Sequence, residues 1–298
     1  MSDTTASLRR KINNAGDLQS VVHTMKALAA SSIGQYEKSV HGLDDYYRTV
    51  ELGLVACFRQ SQLEPLIAEQ EDQRVVRSLC AVVFGSDQGL VGQFNEVVAD
   101  YTIKTLADLP GKPLIWTVGE RVNARLVDKE LTLLGSFAVP NSVKAIPALV
   151  GQILVESEKR DIPGVVNELH LIYNRHTSDG VNEPISQRLL PLDENWRRKL
   201  VELPWPTKNM PEVMNCGAVT LRALIREYLF VSLFRASAES LASENASRLA
   251  AMERADKNIE DLLESLNGDF HRLRQSGIDE ELFDVISGYE ALSKGKTF

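Results

Sequence analysis

The run GSDQGLVG, residues 85–92, is where this chain could gather backbone amides around a phosphate. It follows the apolar, β-rich stretch SLCAVVF and precedes the helical stretch NEVVADYTIKTLADL, and helix N-termini favour anions. The glycine spacing does not fit nucleotide chemistry. Gly85, Gly89 and Gly92 stand four and three residues apart, no lysine follows, and neither G-x-G-x-x-G nor GxxxxGK[ST] is present. The residues read instead as a tight strand-to-helix turn.

The remaining reactive side chains are scattered. His23, His41, His170, His176 and His271 form no HExxH or other paired ligand spacing. His23 sits beside an apolar helix seam, where a solvated or packing role is the default. Cys57, Cys80 and Cys216 are odd in number and in no CxxC spacing, which argues against a disulfide framework or zinc site and fits a reducing compartment. No G-x-S-x-G nucleophile elbow occurs. Asp279, Glu280, Glu281 and Asp284 form a carboxylate cluster. Acid–base catalysis would need a pocket that shifts one of their pKa values. A solvated acidic face, a helix start favoured by the macrodipole, and a partner contact are the other readings. The sequence therefore predicts no catalytic, cofactor-binding or metal-binding residue.

The elements that carry these residues follow from proline placement. All eleven prolines lie between Pro65 and Pro211 of the 298 residues. Proline costs ~3 kcal/mol in a helix interior, so two long Pro-free ends predict long helices around a mixed middle. At the N-terminal end Leu8, Ile12, Ala15, Leu18, Val22, Met25, Ala29, Ser32, Tyr36, Val40 and Leu43 step by three or four, the seam of a helix packed on a helix. At the C-terminal end Val219, Leu224, Leu229, Leu233, Leu241, Leu249, Met252, Ile259, Leu262, Leu266, Phe270 and Leu273 form a matching stripe. Asn215, Cys216 and Gly217 can start that helix, and Gly268 and Gly277 can loosen it.

The middle reads as strands alternating with helices, hence βαβ units and a parallel sheet. The strand-like runs are SLCAVVF, KPLIWTVG, NELHLIYNRHTS and PISQRLLPL, with a helix near 143–159. LDENWRRKLVELPWPTKN reads as a polar loop. The predicted fold is α/β with long helices: an antiparallel two-helix coiled coil from both termini plus a central Rossmann-like α/β domain. The predicted boundaries are 1–64, 65–211 and 212–298. Such a pair of long helices projects as a stiff rod.

Composition excludes several functions. Apolar residues make up 44% and charged residues 25%, ordinary for a globular chain, and the net charge is −8. An acidic balance argues against nucleic-acid binding and against a dedicated anionic-membrane binder. The start, MSDTTASLRRKINNAG, has no apolar signal core, and no stretch approaches the ~20 apolar residues of a membrane span.

Four segments carry a resemblance. LRRKINNAGDLQSVVHTMKALAASSI is similar to the N-terminal helix of the gamma subunits of F-type ATP synthases and ATPases, with Met25 and Ala29-Ala30-Ser31 on the "KAM…AAS" pattern. GSDQGLVGQFN resembles the family's SDRGLCGGLN turn. LASENASRLAAMERADKN and RLRQSGIDEELFDVISGYEAL resemble its two C-terminal signatures. The matches keep their order and span nearly the whole chain. Gln88, Val91 and Gln93 depart from the family's Arg, Cys and Gly, and Asp279 stands where Thr is usual. The departures point to a divergent branch, the alternate bacterial ATPases associated with sodium transport.

The resemblance implies a non-catalytic central-stalk shaft. It would transmit torque between a membrane ring of c subunits and a hexamer of alpha and beta subunits, with its base joined to epsilon. No cofactor is implied. The setting implied is the cytoplasmic face of a bacterial inner membrane, peripheral and within the ATPase complex. Met25, Arg248, Gln275 and Glu281 are the positions it places against acidic loops of the beta subunits. On the residues alone, Met25 reads equally as a seam residue and Arg248 as a surface arginine. A coiled-coil adaptor with a ligand-binding α/β domain, and an enzyme using that domain, are the competing classes.

Overall fold

The computed structural model describes residues 4–60, 77–109, 113–129, 131–159, 166–176, 182–190, 192, 194–202, 204–209, 213 and 218–294. Two compact units result, one of Met1–Leu28 with Leu249–Phe298 and one of Ala29–Arg248. Both long helices, α1 (Thr5–Gln60) and α6 (Ala218–Lys294), contribute to each unit.

The larger unit is built on a five-stranded sheet: β1 (Arg77–Phe84), β2 (Leu114–Val118), β3 (Leu133–Phe137), β4 (Val166–His176) and β5 (Asn182–Leu190), in the order β3-β2-β1-β4-β5. β1 pairs parallel with β2 and β4, and β2 with β3. β5 pairs antiparallel with β4, so the sheet is mixed rather than parallel throughout. The loop-length rule explains the difference. β4 and β5 are joined by five residues, a hairpin connection, whereas a parallel crossover needs a dozen or more.

β1 is apolar on both faces and is covered on both. Leu79, Ala81 and Val83 face α2 (Phe94–Ala107) and α3 (Glu120–Val127) through Val98, Leu106, Val122 and Leu126. Cys80, Val82 and Phe84 face α4 (Ile146–Glu158) through Ile146, Val150 and Ile153. The same second face takes Tyr36 of α1 and Leu233, Phe234, Ala238 and Leu241 of α6. A run of alternating inward residues on both faces is what a central parallel strand requires.

Three elements differ from the sequence expectation. The segment read as a polar loop contains α5 (Glu194–Glu202). Its Leu200 is buried, and Trp196 packs on Tyr228 with ring centroids 5.0 Å apart. A nine-residue helix has too short a stripe to stand out beside Pro204 and Pro206. β3 and α3 are likewise additional to the runs read as regular structure. The predicted helix start at Asn215, Cys216 and Gly217 lies outside the described residues.

In the smaller unit α1 and α6 pack antiparallel. Lys26 meets Asp256, whereas Leu8 shares a cleft with Asp269, Arg272, Leu273 and Ser276. Leu8, Ala15 and Val22 are buried at steps of seven residues, a coiled-coil heptad. The predicted seam is corrected at Leu18, which is 59% exposed. The alternate heptad position passes one residue later, through Gln19 and Lys26. α6 runs unbroken through Gly268 and Gly277. Asp279, Glu280 and Glu281 therefore lie in a helix interior, not at a helix start, and all three are exposed.

Candidate functional site

The turn after β1 is organised by its own polar residues. Ser86 N–H donates to Asn95 Oδ1 (3.0 Å), and Asn95 Nδ2 donates back to Ser86 Oγ (2.8 Å). Asp87 accepts from the Glu120 amide at 3.0 Å and the Val139 amide at 2.9 Å, tying the turn to α3 and to the chain after β3. Leu90 adopts φ 62° and Gly92 φ 58°, which turns the backbone sharply before α2. The Ser86 and Asp87 groups that could meet a phosphate are thus engaged within the chain.

Beside this turn lies a cavity of about 280 Å³ lined by Tyr36, Asp87, Gln88, Glu244, Asn245 and Arg248, among others. Arg248 does not stand free at the surface, since its side chain is only 13% exposed. Its Nη2 donates to Glu244 Oε1 at 2.6 Å and its Nη1 to Asn245 Oδ1 at 3.3 Å. Burial pushes the Glu244 carboxyl above its usual range, Arg248 offsets only part of that, and Asp87 adds to it. A partner carboxylate that recruits Arg248 must compete with Glu244.

Met25, Gln275 and Glu281 belong to the smaller unit. Met25 is half-buried in α1. Gln275 is exposed and donates through Nε2 to Asp279 Oδ1 at 3.1 Å, and Glu281 is exposed. Arg248 belongs to the larger unit. The conspicuous feature near Glu281 is apolar: Ile278, Leu282, Phe283, Val285, Ile286 and Tyr289 are 46–74% exposed. Exposed aliphatic and aromatic side chains in one segment mark an interaction surface. The spacing of this stretch fits a helix but does not reveal its exposure, which depends on where α1 begins, at Thr5.

A polar layer within the helix pair was not legible in advance. Asp256 accepts from Lys26 Nζ at 2.8 Å, lies 3.0 Å from His23 Nε2, and receives a longer contact from Gln19 at 3.5 Å. The hydrogen-bonded Lys26 ammonium holds the Asp256 carboxyl below its usual range. A polar group in a coiled-coil seam fixes register. Asp256→Lys is therefore expected to speed amide exchange around residues 15–28 and 249–262. Adding Lys26→Asp should restore protection, and a swap no better than the single change would remove the register role.

Two further groups escaped the sequence reading. Glu239 collects Arg175, Arg235 and Tyr173 on the face of the sheet that packs against α6. His170 is buried on the opposite face, where burial lowers its pKa against the nearby Glu168. No group of His, Cys, Asp and Glu among the described residues could hold a metal ion, and no helix among them is long and apolar enough to cross a membrane.

Comparison with known proteins adds family information to this geometry. A family model described as "ATP synthase" matches residues 4–292. The chain is 24% identical over 300 residues to the ATP synthase gamma chain of Desulforamulus reducens, covering 96% of this chain and 98% of that one. It is 27% identical over 296 residues to the gamma chain of a Parafrankia species, covering 96% and 97%. Among solved structures, a chain of the Euglena gracilis mitochondrial ATP synthase OSCP/F1/c-ring assembly has a similar fold. The TM-score is 0.69 at 18% identity, covering 99% of this chain and 96% of that one. A chain of the Tetrahymena thermophila mitochondrial ATP synthase central stalk and c-ring gives a TM-score of 0.53 at 20% identity, covering 79% and 99%.

Proposed function

Because the chain belongs to the ATP synthase gamma-chain family and is its non-catalytic central-stalk rotor subunit, we propose that α1 and α6 form the shaft that carries torque. The torque passes between a ring of c subunits in the membrane and a hexamer of alpha and beta subunits. The observation that carries this reading is the terminal stretch of α6. It is helical to Lys294, and its apolar residues from Ile278 to Tyr289 are exposed. A helix in that condition is stable in an assembly that covers it.

Coupling of this kind is physical rather than chemical. A shaft whose surface differs around its circumference meets three beta subunits differently and biases each toward another state. Met25, Arg248, Gln275 and Glu281 are the residues we place against the beta subunits, and the α/β unit is the part we place against epsilon. Gln88, Val91, Gln93 and Asp279 support membership of the sodium-associated bacterial branch, with the complex at the cytoplasmic face of the inner membrane. Ion specificity would reside in the c ring, so replacing sodium by protons in a pumping assay tests the branch assignment.

Removing residues 279–298 tests the shaft reading. The assembled complex should keep most of its ATP hydrolysis but lose the larger part of ATP-driven ion pumping. The larger unit ends at Arg248 and should stay folded. Unchanged pumping per ATP hydrolysed, or unfolding of the sheet, would overturn the assignment.

A further inference from the structure

We propose that the cavity between the β1 turn, α1 and α6 is a binding site for a guanidinium head group. It is the space of about 280 Å³ beside Arg248, and all of its lining residues belong to the larger unit. That volume lies at the lower edge of small-molecule sites and suits one side-chain-sized group.

Unbonded acceptors are the first argument. The Glu244 side chain is 7% exposed, and its one hydrogen bond among the described residues uses Oε1, which accepts from Arg248 Nη2. Glu244 Oε2 is left without a donor. Tyr36 is 6% exposed, and its hydroxyl makes no hydrogen bond among the described residues. Burial, and then Glu244, hold the Tyr36 phenol above its usual range, so it is a neutral hydroxyl able to accept an N–H. A buried polar atom left unbonded is costly, and these two groups line one cavity.

Charge is the second argument. Two carboxylates, Asp87 and Glu244, line the cavity against one guanidinium, that of Arg248. Arg121 reaches the same turn at Gly89 but does not line the cavity. Burial dominates the Glu244 carboxyl, and the charges that act on it are Arg248, which stabilises its ionised form, and Asp87, which opposes it. The Asp87 oxygens are fixed by the Glu120 and Val139 amides, and each keeps a second lone pair. An anion would be repelled there. A metal ion lacks ligands, since no group of three His, Cys, Asp or Glu among the described residues is placed to hold one. A planar cation with five donors can serve carboxylate and hydroxyl oxygens at once, whereas an ammonium is a compact point charge with three. The guanidinium has two sources, an arginine side chain of a neighbouring subunit or a free guanidino compound.

Methyl NMR tests this, because Val139 and Leu241 line the cavity and report on it. Titrating methylguanidinium into the full-length chain should shift those methyls first, with a dissociation constant on the order of 1 mM. Methylammonium should bind several-fold more weakly. Glu244→Gln keeps an oxygen for Arg248 and should weaken binding about tenfold or more, the worth of a charge-assisted contact. Tyr36→Phe keeps the packing and should weaken it about threefold. The titration is repeated in the assembled complex with only this chain labelled. Methyls already displaced and unresponsive there make a partner's arginine the ligand, whereas methyls that still respond make it a free compound. No localised shift in the isolated chain, equal binding of methylammonium, or undiminished binding by Glu244→Gln would overturn the site. The rotor function stands whichever result is obtained, because the pumping assay measures it separately.

Discussion

Replacing Gly119 with alanine is expected to destabilise the sheet-containing unit by about 3 kcal/mol or more, as backbone strain and overpacking act together. Gly119 sits between β2 and α3 with φ 112° and ψ 133°, a conformation L side chains rarely adopt. A Cβ there would lie 2.8–2.9 Å from the Ser86 backbone N, O and C atoms. Neither partner can yield cheaply. Gly119 N–H donates to the Phe137 carbonyl at 2.9 Å, and the Ser86 carbonyl accepts from the Arg121 amide at 2.9 Å. The crossing of these two turns also sets the β1 turn beside the Arg248 cavity, so the substitution should loosen both. Thermal and urea unfolding of the full chain reads the loss. A variant within about 0.5 kcal/mol of the parent, the scatter of neutral surface changes, would mean that the turns do not approach as described.

Arg248→Met is expected to cost about 3 kcal/mol near neutral pH, the lower end for breaking a buried ion pair. Its partner Glu244 is buried, with its side chain 7% exposed, and would be left charged without a counterion. The sign of the pH dependence follows from the raised Glu244 pKa. Between the unfolded value of 4.5 and the higher folded value, the native state binds more protons than the unfolded state. Stability is therefore fully present below pH 4.5 and is lost as pH rises through the folded value. Removing Arg248 raises that folded value further, so the penalty should grow with pH and shrink toward pH 4.5. Adding Glu244→Gln removes the titrating group and should regain most of the loss with a flat profile. A single mutant whose deficit is independent of pH would show that Glu244 is not the group left stranded. Because Arg248 is also a proposed beta-subunit contact, Arg248→Lys separates the roles. It keeps the charge but loses the planar fork, so a pumping defect at unchanged stability would assign the fork to the partner.

The sequence by itself determined the elements whose physics is local. Eleven prolines confined to 65–211 left two ends free to be helical, and both ends are helices of 56 and 77 residues. The three- and four-residue steps of apolar side chains from Leu8 to Leu43 announced a helix pair, and the apolar SLCAVVF run announced a strand. The four resembling segments pointed to the family that the match over 4–292 establishes. Only the tertiary structure decided what depends on a partner distant in the chain. Leu18 and Gln19 are equally compatible with a helix seam, and it is Asp256, more than 230 residues away, that draws Gln19 inward and leaves Leu18 exposed. Glu239 gains its two arginines from one turn of its own helix and from the end of β4. Helix periodicity is set by backbone bonds four residues apart and can be read along the chain. The balance of charge and hydrogen bonding in a buried site is a sum over groups that only folding brings within a few ångströms.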